Sequence, residues 1–260
     1  MLSVVGSSFQ ALFRNPLADP YVVGVSSGAA VGGSAAIVLG LEGLWGGLGI
    51  MGLAFLGGLG SLLLVFGLAR RRGVVDVSTL LLAGVVVGSL LAALTTLVLY
   101  AAGEDTNKVL RWLLGSMTPM FYDRLVVMAV AAAVGSAVLI LQARQLNAFA
   151  ISESTAKHLG IDTRRLKWIV LVTGTVLAAI CVGAVGIIGF LGLVAPHISR
   201  RLLGVDWRLS MPGALMIGPT LLLMADVAAQ RALPNMELPV GVVTALLGAP
   251  FLLVLLRRDA

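Results

Sequence analysis

A serine-hydrolase pattern is the first candidate for chemistry in this sequence. Residues 24–28 are Gly-Val-Ser-Ser-Gly, which matches the G-x-S-x-G nucleophile turn, with Ser26 as the nucleophile and His197 downstream as a candidate base. Such a turn requires a strand before the serine and a helix after it, at the top of a parallel sheet. Nothing in the surrounding sequence predicts a sheet, and Gly and Ser also let membrane helices approach closely. An intramembrane hydrolase is therefore the least favoured of three interpretations.

Metal and phosphate chemistry are not indicated. The two histidines, His158 and His197, and the single cysteine, Cys181, do not form a ligand set with ordinary metal-site spacing. None of the three lysines follows a glycine, so the phosphate-binding loop G-x-x-x-x-G-K-[ST] is absent. We therefore expect no metal, no cofactor and no enzymatic activity in this chain. If the protein performs active transport, the ATP hydrolysis that drives this transport would belong to a separate subunit on the cytoplasmic face.

One acidic residue lies within an apolar stretch. Asp226 is near the end of the run 209–229, and ionisable residues inside membranes are functional candidates by default. Its role would instead be structural if it paired with Arg231 or reached water at the helix end. An ion-coupled transporter usually places several such groups at mid-membrane. A secondary active transporter for a small hydrophobic or chelated solute is therefore the second interpretation.

The composition identifies the environment of these residues. Of 260 residues, 59% are hydrophobic and 12% are charged, whereas soluble domains carry roughly 25% charged residues. The mean hydropathy is +1.04. The net charge of +6 fits the basic cytoplasmic loops of membrane proteins better than nucleic-acid binding. The sequence therefore predicts a polytopic membrane protein with no nucleic-acid partner.

Apolar runs separated by charged, Gly or Pro residues predict an all-α transmembrane helix bundle, a single domain over residues 1–260. Crossing about 30 Å of hydrocarbon takes roughly 20 helical residues. We predict about eight membrane segments, at 25–40, 44–69, 79–101, 125–143, 166–189, 190–198, 209–229 and 240–256. The run 190–198 is too short to span and is predicted to be a half-helix buried among its neighbours. The run 1–13 looks like the end of a helix that begins upstream.

The basic residues predict the orientation of the chain. If alternate loops face the same side, fourteen of the eighteen Lys and Arg residues lie on one side, and only Lys108, Arg111, Arg124 and Arg231 lie on the other. Because Lys and Arg are enriched in cytoplasmic loops, the C-terminus and the loop 144–167 are predicted to be cytoplasmic. The predicted location is the bacterial inner membrane.

The loop 144–167 carries the signals of a short helix. Ser152 is a suitable N-cap, Glu153 lies in the first turn, Lys157 and His158 lie in the last, and Gly160 can end the helix in a left-handed conformation. A helix of about two turns would be marginal by itself in water. The loop is either a solvated connector or a docking helix for a cytoplasmic partner. The second interpretation is the more specific hypothesis.

The segment 15–20, Asn-Pro-Leu-Ala-Asp-Pro, must interrupt the helical pattern. Its two prolines remove backbone donors and disfavour helix at the preceding residue. Broken helices at membrane depth are tolerated where they are buried in protein or line a cavity. Composition alone leaves a loop and a pathway-lining break equally open.

Taken together, several segments resemble the FecCD-type permeases, the membrane subunits of binding-protein-dependent ABC importers. The matching stretches are QALFRNPLADPYVVGVSSGA (10–29), LLLAGVVVGS (80–89), RWLLGSM (111–117), the loop around Glu153, GFLGLVAPHISRRLLG (189–204) and ELPVGVVTALLGAPFLLVLL (237–256). The resemblance implies import of an iron–siderophore complex, haem or cobalamin by ATP-driven alternating access. It also implies the partners: a second permease copy in a homodimer, two cytoplasmic ATP-binding subunits, and a periplasmic or lipid-anchored substrate-binding protein.

The resemblance further implies roles for individual residues. The translocation gate corresponds to Asn15, Leu17, Val77 and Ser78, where Val77 replaces a hydroxyl residue of the family member compared. The contact with the ATPase corresponds to the loop 146–164, with Leu146, Ser152, Glu153, Lys157, Leu159 and Gly160. At the surface that meets the binding protein, Gln230 stands in place of an expected arginine, with Arg231 beside it.

The chain departs from the family at its start. About ten helices are expected, and the first and most of the second have no counterpart here. A misplaced start, a fragment and a truncated paralogue all remain open, and which substrate is carried is not predicted.

Overall fold

The computed structural model describes the backbone of residues 1–21, 24–71, 74–75, 77–117, 122–233 and 237–258, and shows an all-helical bundle. The α-helices are α1 (Leu2–Phe13), α2 (Val25–Val38), α3 (Leu48–Ala69), α4 (Val77–Ala101), α5 (Thr106–Leu113), α6 (Tyr122–Leu141), α7 (Ala143–Ile151), α8 (Glu153–His158), α9 (Thr163–Val185), α10 (Leu191–Leu203), α11 (Trp207–Arg231) and α12 (Val240–Arg258). Within the described ranges, the strands are β1 (Arg70–Arg71) and β2 (Val74–Val75), which form a small antiparallel hairpin in which Arg70 pairs with Val75. The predicted fold class is confirmed.

Helix length separates membrane-spanning elements from shorter ones. The five helices α3, α4, α6, α9 and α11 have 20 or more residues and are apolar enough to cross a membrane. The apolar helices α1, α2 and α12 contribute shorter segments. The predicted half-helix is α10, whose 13 residues extend about 20 Å at 1.5 Å per residue. It continues five residues beyond the predicted end at residue 198.

The bundle is organised around α9. In its most apolar stretch 67% of the residues are buried, whereas the corresponding share of α4 is only 17%. A helix that is apolar on all sides yet largely exposed in one protomer needs another apolar medium around it. The exposed sides of α4, α6 and α11 must therefore face lipid or another chain, while α9 holds the protomer together.

The short helix α1 is inserted into the core, and all twelve of its residues are buried. Its crossing with α10 requires glycine, because a Cβ atom added to Gly6 would lie 1.8 Å from the backbone oxygen of Gly192. Small residues at such crossings let membrane helices pack backbone to backbone. This close approach brings the polar residues at the end of α1 next to α10.

Two amphipathic helices were not predicted from the sequence. The run 125–143 is interrupted at Gln142, and α7 follows with Ala143, Leu146 and Phe149 buried at three-residue spacing. Helix α5 lies beyond α4 at the opposite end of the bundle, where the Lys108 ammonium is 3.2 Å from the Glu42 carboxylate. Both helices have an apolar side too narrow to produce a continuous hydrophobic run.

Candidate functional site

Three segments that are distant in sequence enclose a cleft at the end of the bundle predicted to be cytoplasmic. The cleft has a volume of about 640 Å³. It is lined by the end of α1 and the loop that follows, by α7, and by the turn between α10 and α11. Its polar lining residues are Gln10, Arg14, Asn15, Asn147, Arg200 and Asp206.

A proline in α10 explains how one wall of the cleft is held. Pro196 lies inside the helix and has no N–H, so the carbonyl of Gly192 loses its normal helical partner. The side-chain amide of Gln10 donates to this carbonyl at 3.4 Å. The side-chain oxygen of Gln10 in turn accepts a hydrogen bond from Nη1 of Arg200 at 2.6 Å. The buried Gln10 thus links the carbonyl of Gly192 to Arg200, about two turns further along α10.

Arg200 is further fixed by an aromatic ring. Its guanidinium carbon lies 4.9 Å from the centre of the Trp207 ring, a cation–π distance. The arginine is half-buried. In the described part of the chain no ion pair involves Arg200 or Arg14, so the positive charge on this wall has no carboxylate partner.

The carboxylate of the cleft, by contrast, is already occupied by partners of its own chain. Asp206 accepts hydrogen bonds from Nε and Nη2 of Arg208, and it accepts a further one from the Asn147 side chain at 2.7 Å. The pKa of Asp206 is held well below its usual range, mainly by the hydrogen bonds from the Arg208 side chain and next by the hydrogen bond from the Arg208 backbone N–H. The Asn147 oxygen accepts from the backbone N–H of Trp207 at 2.9 Å. Asn147 therefore ties α7 to the start of α11.

The short helix predicted in the loop 144–167 is present as α8, with the expected ends. Ser152 is its N-cap, and its Oγ accepts a hydrogen bond from the backbone N–H of Thr155 at 2.9 Å. Lys157 and His158 lie in the last turn. Gly160 follows with φ of 77°, the left-handed conformation that favours glycine.

Glu153 forms ion pairs with one exposed and one buried lysine. Its Oε2 lies 2.8 Å from Nζ of Lys167 in α9, and its Oε1 lies 3.1 Å from Nζ of Lys157. The hydroxyl of Thr163 also donates to Oε1, at 3.3 Å. Burial raises the pKa of Glu153, but the hydrogen bonds from Lys167 and Lys157 outweigh it and hold the pKa below its usual value. The Lys167 ammonium also lies over the Phe149 ring of α7.

These contacts give two of the predicted coupling residues a structural role within the protomer, while the contact of this loop with an ATPase stays a prediction. Leu146 is fully buried and anchors α7 in the bundle. Glu153 acts as a brace between α8 and α9. The exposed apolar side chains here are instead Leu159, which is 67% exposed, and Ile151 at the end of α7. Ile151 was missed because a single apolar residue in a polar loop gives no periodic signal.

The gate residues are only partly described. The exposed Asn15 accepts the backbone N–H of Leu17 in a local turn at 2.9 Å, and Asn15 lines the cleft. Leu17 is partly exposed. Val77 and Ser78 begin α4, but their side chains lie outside the described residues. The gate formed by these four residues stays a prediction.

At the opposite end of α11, the predicted docking residues are exposed. The side-chain amide of Gln230 donates to Asp226 at 2.8 Å. Arg231 ends the helix and makes no ion pair with any described residue. Asp226 is thus held by Gln230 rather than by Arg231, and the arginine side chain faces solvent.

The hydrolase pattern has a structural explanation. Ser26 lies in the first turn of α2, and the preceding Gly24 N–H bonds back to Tyr21 in a turn. A Cβ on Gly28 would lie 2.3 Å from the carbonyl oxygen of Gly57 in α3. The small residues of this motif therefore allow α2 and α3 to pack closely, as expected of Gly and Ser in membrane helices.

Comparisons with known proteins agree along the whole chain. Residues 1–258 match the FecCD transport family. The chain is 39% identical over 256 residues to the cobalamin import system permease protein BtuC of Halobacterium salinarum, covering 98% of this chain and 68% of the relative. It is 36% identical over 261 residues to the hemin transport system permease protein HmuU of Yersinia pestis, covering 99% and 78%.

A solved structure shares both fold and sequence with this chain. An inward-facing metal-chelate type ABC transporter superposes with a TM-score of 0.89 and 33% identity, over 99% of this chain and 81% of that one. The match includes every element that encloses the cleft and every membrane helix described above. The chain is therefore a multipass membrane protein and a transport permease rather than an enzyme, and it belongs to the FecCD transport family.

Proposed function

We propose that this chain is the membrane permease subunit of a binding-protein-dependent ABC importer for a bulky metal-containing compound, in the class of ferric chelates, haem and cobalamin. The observation that carries the proposal is the agreement of fold and sequence over 99% of the chain with a metal-chelate type ABC transporter. A cobalamin import permease and a hemin transport permease are 39% and 36% identical to it.

The energy source is a separate ATP-binding subunit on the side of α7 and α8. Among the described residues, the membrane helices do not carry the series of ionisable groups that ion coupling requires. The one acidic residue in α11, Asp226, is bound to Gln230 near the helix end. The proposed source therefore remains ATP hydrolysis outside this chain.

The contacts of α8 would let the ATP-binding subunit move the helix bundle of the permease. Its exposed neighbours Ile151 and Leu159 offer apolar contact, whereas Glu153 binds it to Lys167 at the start of α9. A displacement of α8 is therefore transmitted to α9, the most buried of the five long membrane helices. Interfaces and packed cores respond to such displacements by switching between discrete arrangements, which is the form of motion that alternating access needs.

A second copy of the chain is proposed to complete the pathway. The largely exposed α4 presents Leu82, Val85 and Val86 outside its own protomer. Two-fold symmetric dimers are the commonest form of homo-oligomer among soluble proteins. We propose a homodimer in the inner membrane with cytoplasmic C-termini, in which α4 of both copies lines the pathway and Arg231 meets the binding protein on the outer face.

Assembly tests this proposal. The permease and the ATP-binding subunit encoded with it are co-expressed, purified in lipid nanodiscs, and weighed by native mass spectrometry. We expect two permeases and two ATP-binding subunits, with ATP hydrolysis stimulated by the loaded binding protein. A permease that purifies without any ATP-binding subunit, at any stoichiometry, would contradict it.

A further inference from the structure

We propose that the cleft between α1, α7 and the α10–α11 turn is a carboxylate-binding socket, which receives an acidic side chain of the ATP-binding subunit onto Arg200. The inference rests on the proposed function, because it names a contact of that same partner. It adds an ionic anchor beside the apolar contact offered by α7 and α8.

The charges in the cleft favour an anion. Arg200 and Arg14 both line it, and neither forms an ion pair with a described residue. Asp206 does not balance them, since Arg208 and Asn147 already occupy its oxygens. A half-buried guanidinium without a carboxylate lacks part of its solvation, so an incoming anion gains free energy there.

Arg200 is also positioned in advance. Gln10 accepts one of its N–H groups, and Trp207 stacks against it. A guanidinium has five N–H donors, so fixing one leaves a fork that matches a carboxylate. Because the side chain is already ordered, binding costs little further rotamer entropy.

The surroundings of the cleft point to a protein carboxylate. Its rim carries the apolar side chains Ile151 and Val205, both largely exposed at the end of the bundle predicted to be cytoplasmic. Ile151 ends α7 and is directly followed by the cap of α8, the helix proposed to meet the ATP-binding subunit. A subunit seated on α8 would cover the cleft and exclude water from it, as the surrounding contacts of an interface hot spot do.

A zero-length cross-link tests the contact directly. Arg200→Lys places an amine in the cleft, and a water-soluble carbodiimide then joins that amine to a carboxyl group in contact with it. The carboxylate is activated as an O-acylisourea, the amine displaces the urea, and an amide forms while the carbodiimide takes up the water. Arg201→Lys is the matched control, because Arg201 is exposed and does not line the cleft.

We expect the Arg200→Lys complex alone to give a peptide that joins residue 200 to an Asp or Glu of the ATP-binding subunit. Equal cross-linking of both variants, or a link from residue 200 only to Asp206 of its own chain, would overturn the socket. A wild-type permease that retains no ATP-binding subunit would overturn the proposed function as well. If the permease retains the ATP-binding subunit but the cross-link from residue 200 does not form, the carboxylate socket is wrong and the proposed function stands.

Affinity provides a second measurement. Arg200→Gln is expected to weaken binding of the ATP-binding subunit about tenfold to a hundredfold, because truncating one partner of a desolvated charge pair is costly. Arg14→Gln leaves the contacts with Gln10 and Trp207 intact and should weaken binding severalfold. Arg201→Gln should change it less than about threefold. Binding that is unchanged in both cleft variants would overturn the socket. Wild-type binding that is lost without phosphatidylglycerol would assign the cleft to a lipid headgroup instead.

Discussion

Replacing Lys167 with Met removes the buried partner of Glu153 and leaves the exposed partner, Lys157, in place. The Lys167 side chain is 11% exposed and that of Lys157 is 62% exposed, although both ammonium groups lie about 3 Å from the same carboxylate. A hydrogen bond between charged groups in a partly buried setting contributes about 2 kcal/mol. An exposed i,i+4 pair contributes about 0.4 kcal/mol.

These magnitudes predict different changes in the local opening of α8. Amide hydrogen exchange reports local opening free energies, and each 1.36 kcal/mol is a factor of ten. Lys167→Met should therefore accelerate exchange in α8 about thirtyfold, and Lys157→Met about twofold. Exchange in the centre of α9 should stay the same in both variants and serves as the internal control.

The difference should depend on pH. Because the pKa of Glu153 is lowered in the folded protein, its ionised form stabilises the fold above the ordinary value of 4.5, and this stabilisation is lost as the pH falls through the lower folded pKa. The gap between wild type and Lys167→Met should thus be constant from pH 5 to 8 and shrink below 4.5. If Lys167→Met and Lys157→Met accelerate exchange in α8 equally, or if neither changes it, the ion pair between Glu153 and Lys167 does not hold α8 on α9.

Further predictions concern packing, capping and the two surfaces. Gly6→Ala should destabilise the permease by about 3 kcal/mol or prevent folding, since its methyl group meets the Gly192 backbone; Gly52→Ala, with open space around it, should change the melting temperature little. Gly160→Val should cost about 1–2 kcal/mol of α8 stability because of its φ of 77°, seen as faster exchange confined to α8. Asn147→Ala should lower the melting temperature by freeing the α11 N-terminus from α7, and an unchanged melting temperature would contradict this. Arg231→Ala should weaken binding-protein affinity severalfold at low salt and much less at high salt; an equal change at both salts removes Arg231 from that surface.

Local signals explain what the sequence predicted well. The ends of α8 depend on residues within one turn of each other, a serine that caps and a glycine that takes a positive φ. Membrane helices follow from apolar runs, and the break at residues 15–20 follows from proline chemistry. These features do not depend on the tertiary structure, so the sequence alone predicts the residues at which they occur.

The cleft could not be predicted in the same way. Gln10 and Arg200 are 190 positions apart, and their contact exists because Gly6 lets α1 cross α10 and Pro196 frees a carbonyl. The pairing of Glu153 with Lys167, fourteen positions further along the chain, was likewise not predicted, because no local pattern links the two residues. Side-chain direction at loop helices is decided by which buried charges need a partner, and that depends on tertiary packing.

Uptake into proteoliposomes shows whether this chain forms part of an ATP-driven importer. The permease is reconstituted with its ATP-binding subunit and binding protein, and entry of labelled cobalamin, haem and a ferric siderophore is followed with internal ATP or with an imposed proton gradient. We expect uptake of at least one of the three compounds that requires ATP and the binding protein and is unaffected by a protonophore. Uptake driven by the proton gradient without the ATP-binding subunit would contradict it.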